Sequence, residues 1–141
     1  MTGVIVVCLC VLVALCFGVY RKVTDGRARE AGPSLPRLSE GQLGSELGSA
    51  ATLVQFSSAV CAPCRTTRTL LTGLVAQDPG LAHIEVDAEA RLDLVAEFGI
   101  TRTPTVLLLD RSGTVRHRMD GAPRKPQVLD ALGSLRIAPA A

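Results

Sequence analysis

The sequence predicts an α/β sandwich: one central sheet of mixed parallel and antiparallel strands, flanked by helices and preceded by a single N-terminal transmembrane helix. Three observations carry that expectation. The first twenty residues, MTGVIVVCLCVLVALCFGVY, hold no charged side chain. From residue 51 the apolar pattern runs strand, helix, strand, helix, hairpin, helix, the alternation of a layered domain whose sheet mixes both kinds of pairing. The 141 residues also leave room for one such domain of about 100 residues, the usual size at which a single core forms.

Residues 1–20 are the anchor. At about 1.5 Å per residue, a helix of that length matches a hydrocarbon core of roughly 30 Å. A cleaved secretory signal is the rival reading, but signals open on a basic stretch and close on a small-x-small site. Nothing basic precedes this run, LCFGVYRK is a poor cleavage site, and Leu15 is too bulky to make Cys16 a lipidation site. Cys8, Cys10 and Cys16 then read as small apolar fillers of the helix.

Residues 21–37 read as a basic, flexible linker. They carry five basic side chains (Arg21, Lys22, Arg27, Arg29, Arg37), two acidic ones (Asp25, Glu30) and the breakers Gly26, Gly32, Pro33 and Pro36, with no apolar periodicity. Taken from the chain totals of 15 and 13, these leave ten basic and eleven acidic residues beyond the linker. The basic excess therefore belongs to the connector and points to a lipid surface, not to nucleic acid. With no Trp, one Tyr and three Phe, a base-stacking surface is not expected either. Arg21 and Lys22 at the end of the anchor put the domain on the cytoplasmic side by the positive-inside rule, the extracytoplasmic side being the alternative.

The domain, residues 38–141, is read element by element. Ser39 with Gln42 three positions on is a capping box that opens a short helix. ATLVQFS (51–57) is a buried strand, and a helix from about Ala62 to Ala76 sets Leu70, Leu71, Leu74 and Val75 on one stripe. LAHIEV (81–86) is a second strand; Leu92, Val95 and Ala96 mark the next helix face, with Gly99 at its C-terminal cap. TPTVLLLDRSGTVRHRM gives a strand, a turn on Asp110, Ser112 and Gly113, and a strand alternating Val115 and His117 with Arg116 and Arg118. A last helix starts near Pro126 and buries Val128, Leu129, Leu132 and Leu135.

The chemistry is expected at CAPC, residues 61–64. Five cysteines, three of them in the anchor, exclude a stapled secreted scaffold and leave Cys61 and Cys64 as the one pair in the domain. Cys61 falls at the first turn of a helix, where unpaired N–H groups and the helix dipole favour an anion. A thiolate is such an anion, and a cysteine so placed has its pKa drawn from about 8.5 toward roughly 3.5 to 7.5. Cys64 returns to the same helix edge, about 5 to 6 Å away between Cβ atoms, within reach of a disulfide. Pro63 suits a first turn because it has no N–H to lose. Cys61 is thus the expected nucleophile and Cys64, deeper in the turn, the resolving thiol. Zinc is the structural alternative for Cys-x-x-Cys, but it needs two further ligands, and His83 and His117 are the only histidines. Those two read as surface strand residues, and Asp87 and Glu89 as caps of the following helix. Arg65 and Arg68, each four residues from a cysteine, either add positive potential near a thiolate or form a solvated face.

From about Leu38 to Leu135 the chain resembles the thioredoxin-fold family, through LVQFSSAV, then CAPC followed by Arg65, then VDAEARLDLVAEFGITRTPTVLLLDRSGTV, and finally Gly121. The resemblance implies a thioredoxin-like sandwich in which a cis proline, here Pro104, faces the cysteines, and the backbone of Thr103 pairs with an extended substrate. Three departures stand out. Val60 occupies the place of the family's usual Trp, and Gln55 that of its buried Asp, which helps deprotonate the second sulfur. Gln takes no proton in this range, so either water, another carboxylate such as Glu85, or solvent base assists Cys64, or the resolving step is slower. Pro33 and Pro36 also leave little room for the family's first strand before Leu38. The residues that define or modulate the site are therefore expected to be Cys61, Cys64, Thr103, Pro104, Gln55, Pro63 and Arg65.

The expected activity is membrane-anchored thiol–disulfide exchange with protein thiols and disulfides, by a monomer. No cofactor beyond the redox-active disulfide is expected, and neither a metal nor a nucleic-acid partner. The alternative is a metal-binding module, for copper or zinc, using the same cysteines.

Overall fold

The N-terminal helix runs further than its uncharged stretch. In the computed structural model, which describes residues 2–32 and 35–137, α1 spans Thr2–Thr24 and takes in Arg21 and Lys22 in its last turn. It is long and apolar enough to cross a membrane, a test that a signal sequence also passes, and Val4 to Val23 expose their apolar side chains.

The connector expected over 21–37 is built into the fold on the near side of residue 33. The Gly26 N–H donates to the Asp120 carbonyl at 2.8 Å. β1 (Ala28–Glu30) then pairs antiparallel with β5 (Val115–Asp120), Ala28 opposite Met119, and the Ala31 N–H continues the ladder to the Arg116 carbonyl at 2.8 Å. A first strand therefore exists, upstream of the prolines. Its sequence, Ala-Arg-Glu, hides it: an edge strand is held by backbone hydrogen bonds and needs no apolar alternation. Gly26 is required there, since its φ is +72° and a Cβ would meet the Ala122 carbonyl. Pro33, counted in the connector, and residues 138–141, counted in the domain, lie outside the described residues.

Beyond the connector, α2 (Glu40–Leu43) opens with Ser39 as N-cap, and both bonds of the capping box with Gln42 form. There follow β2 (Ala51–Ser57), α3 (Ala62–Val75), β3 (Leu81–Asp87), α4 (Leu92–Glu97), β4 (Thr105–Asp110), β5 and α5 (Lys125–Ile137). The five strands form one sheet in the order β1-β5-β4-β2-β3, with β2 and β3 parallel and the other neighbours antiparallel. All seven residues of β2 are buried, because both faces of the sheet are covered; hence its continuous apolar run.

On one face Leu53, Val106, Leu108 and Met119 pack under Leu71 and Leu74 of α3 and Val128, Ala131 and Leu132 of α5. On the other, Val54, Phe56, Val86, Leu107 and Leu109 pack with Leu38, Leu94 and Phe98. The α4 face differs from the expected one: Leu94 and Phe98 are buried, whereas Leu92 is 67% exposed. With fewer than two turns, a six-residue helix holds too little pattern to set its phase. Leu129, expected inside, is also exposed, at 45%.

Candidate active site

The parallel pair β2 and β3 carries the site at its C-terminal end, where β2 leads through residues 58–60 into α3. Cys61 is the N-cap of α3, in extended backbone, and the Cys64 N–H lies 3.2 Å from the Cys61 Sγ. The two cysteines form a disulfide with Cα atoms 5.3 Å apart. Pro63 occupies the first turn, and its missing N–H removes a donor that the turn would otherwise leave unpaired. Depth separates the sulfurs: Cys64 is 2% exposed, while Cys61 is half-buried and the Val60 beside it is 98% exposed. The outer sulfur is therefore the more accessible of the two.

The loop before β4 faces this turn. The Thr103–Pro104 peptide bond is cis, Pro104 is buried, and its carbonyl accepts the Gly121 N–H at 2.8 Å. The Thr103 Oγ1 lies 3.0 Å from the Ser58 Oγ, tying this loop to the one that carries the cysteines. Pro63, Thr103, Pro104, Gly121 and Ala122 line a common groove with the end of α1.

Gln55 is fully buried below Cys64. Its Nε2 donates to the Cys64 carbonyl at 2.9 Å and to the Ser57 Oγ at 2.8 Å. That leaves Oε1 as the acceptor, so the His83 Nε2, 3.2 Å away, is the donor. Gln55 thus ties the first turn of α3 to β2 and β3 and carries no proton of its own. His83, expected at the surface, is half-buried, and burial pulls its pKa below the ordinary value, with a smaller depression from Arg68 against a raising effect of Glu85. Alternation along β3 marks it: His83 stands two residues from the buried Leu81 and two from Glu85, on the α3 side.

Glu85, the carboxylate considered as a base for Cys64, is committed elsewhere. Arg68 on α3 binds it through both Nε and Nη2, at 2.6 and 2.7 Å, and this bond holds its pKa below the usual carboxylate value. A carboxylate so stabilised is a poor proton acceptor. Arg68 is accordingly spent on Glu85, and Arg65 is exposed with its guanidinium in no hydrogen bond or ion pair among the described residues. Asp87 accepts the Glu89 N–H at 2.8 Å, and Glu89 accepts the Ala59 N–H at 3.3 Å, so the pair steadies the loop before Cys61.

A helix-capping Cys-x-x-Cys facing a cis proline across a mixed sheet is the architecture of the thioredoxin fold. A family profile described as thioredoxin matches residues 39–133, more than half of the chain, and the protein belongs to that family. Solved structures agree on the fold. Chloroplastic thioredoxin z superposes with a TM-score of 0.61 at 19% identity, over 77% of this chain and 99% of that one. Thioredoxin-2, a component of the malaria parasite's protein secretion machinery, gives 0.55 at 19%, over 60% and 82%. Thioredoxin of Fasciola hepatica gives 0.55 at 21%, over 62% and 82%. Among the curated proteins no match is found.

Proposed function

We propose that the protein is a membrane-anchored thiol–disulfide oxidoreductase acting on protein partners. The observation that carries this is the Cys61–Cys64 pair itself: one accessible sulfur at a helix N-cap, bonded to a buried one. In the reducing direction the Cys61 thiolate attacks a substrate disulfide, forms a mixed disulfide and expels one substrate thiolate. Cys64 then loses its proton to water or to that thiolate and attacks the Cys61 sulfur. The second substrate thiolate leaves, and the internal disulfide remains. Two electrons pass to the substrate, whose thiolates take up one proton from Cys64 and one from solvent, and an external dithiol re-reduces the enzyme. The oxidising direction is the reverse, and the potential of the pair relative to its compartment decides between them.

The N-terminal helix supports the anchor, and Arg21 and Lys22 at its end support a cytoplasmic domain under the positive-inside rule. Labelling of reduced Cys61 in whole cells by an impermeant maleimide would reverse that orientation.

The competing reading is capture of a soft metal by the two thiolates. It lacks support from neighbours: among the described residues no group of three or more His, Cys, Asp or Glu is placed to hold a metal ion. Mass spectrometry and metal analysis separate the two. Oxidised and reduced forms of the full-length protein are expected to differ by two hydrogens, with no stoichiometric metal. A metal bound near one per chain, with no internal disulfide formed under oxidant, would favour the metal reading.

A further inference from the structure

The groove lined by Pro63, Thr103 and Pro104 has a wall that does not come from the domain. The last turn of α1 and the residue that follows it bring Arg21, Lys22 and Asp25 to the lining that Pro63, Thr103 and Pro104 share with Arg102 and Arg124. Three bonds hold this turn in place. Asp25 Oδ1 accepts from Arg102 Nη1 at 2.9 Å, the Lys22 carbonyl accepts from Arg124 Nη2 at 3.1 Å, and the Gly26 N–H reaches the Asp120 carbonyl at 2.8 Å. The groove therefore holds four cations and one anion, a net charge of three positive. Asp25 forms an ion pair with Arg102, and among the described residues the side chains of Arg21, Lys22 and Arg124 are in no ion pair with a carboxylate.

We propose that this groove selects an acidic, extended segment flanking the cysteine of a protein substrate, its charge read by Lys22, Arg21 and Arg124. The proposal rests on the thiol–disulfide reading above and names the substrate class for it. Arg102 directly precedes Thr103, so a strand laid along the Thr103 backbone runs beside the cluster that the domain's arginines form with the end of α1. Opposite charges in that segment gain Coulomb energy where the groove walls exclude part of the solvent, and they steer encounter as well as binding. The end of α1 is also where a lipid surface would lie. Two of the four cations, however, Arg102 and Arg124, belong to the loops around Pro104 and Gly121, in the groove that Pro63 of the Cys-x-x-Cys turn also lines, which favours a peptide over a headgroup as their occupant.

The test uses the full-length protein, reduced and then freed of reductant, in neutral phosphatidylcholine nanodiscs. It is mixed with three probes: hydroxyethyl disulfide, and two peptides alike except that one flanks its internal disulfide with Asp and Glu and the other with Lys and Arg. Each turnover moves two electrons from Cys61 and Cys64 to the probe, with one proton from Cys64 and one from solvent, opening its disulfide and closing the enzyme's. The acidic peptide is expected to react about tenfold faster than the basic one at low salt, as two or three partly screened ion pairs would give. Its advantage shrinks as ionic strength approaches about 1 M, and Lys22→Glu with Arg124→Glu reverses the order, which misfolding would not do. Equal peptide rates, or a preference untouched by both salt and charge reversal, overturn the proposal. So does a common change in both peptide rates on moving to phosphatidylglycerol discs with no preference between them, which would assign the cations to lipid. If hydroxyethyl disulfide itself is not reduced, the oxidoreductase reading fails first. If it is reduced while the peptides react alike, only the charge selection fails.

Discussion

Cys61→Ser is expected to abolish disulfide exchange, lowering the rate by a factor on the order of 10^3 or more, because a hydroxyl at the helix N-cap is not ionised near neutral pH and cannot take the place of the thiolate. Cys64→Ser is expected to behave differently. Cys61 remains at the N-cap and still attacks, but the serine hydroxyl cannot displace the substrate from it. Mixed disulfides with partners should therefore accumulate and be visible on non-reducing gels as adducts that dithiothreitol releases. The asymmetry follows from depth, since Cys61 is half-buried and Cys64 is 2% exposed. If Cys64→Ser trapped no partner while its Cys61 still reacted with a maleimide, exchange with proteins would be excluded as the function. Trapping through Cys64 in the Cys61→Ser variant would reverse the assigned roles.

Gln55→Leu should cost about 2–4 kcal/mol of stability, more than an ordinary buried polar-to-apolar change of similar volume. Its amide serves three groups at once: the Cys64 carbonyl, the Ser57 hydroxyl and the His83 ring. Leucine removes the donor to the buried Cys64 carbonyl and Ser57 hydroxyl and the acceptor of the half-buried His83 ring, and a buried polar group stripped of its partner costs about 1–3 kcal/mol. Urea unfolding of the reduced and oxidised forms reads the loss; a change under about 0.5 kcal/mol, the range of an inert surface substitution, would contradict it.

The same network predicts a pH dependence. Burial lowers the pKa of His83, and likewise that of His117 against the opposing pull of Glu30. The unfolded chain then binds protons before the folded one does. Stability is fully present above the unfolded histidine value of about 6.5 and declines as pH falls from there toward the folded values. His83→Asn should flatten part of that slope between pH 7.5 and 5.5, and an unchanged slope would place the proton uptake elsewhere.

Much of this arrangement is legible in the residues. The uncharged N-terminal run, the Ser39–Gln42 box, the β2 run and the cysteine pair each combine strong local chemistry with an unbroken pattern, so local rules identify them. What was hidden depends on long-range contact. β1 is three residues with two charged side chains, and only β5 lying alongside makes it a strand. The α4 face is off by one position because six residues cannot set a helical phase. His83 looked solvated because a histidine in a strand gives no sign of the glutamine across the ladder. The end of α1 showed its cations, but nothing in the sequence placed them beside Thr103 and Pro104.

The most direct measurement is the rate of Cys61 alkylation against pH in the reduced full-length Cys64→Ser protein, followed by mass spectrometry of the Cys61 peptide. A sulfur held at the start of α3 should show a midpoint well under the value of about 8.5 for a free cysteine. A midpoint at or above that value would mean that the helix start does not activate Cys61, and the account of the site would fail.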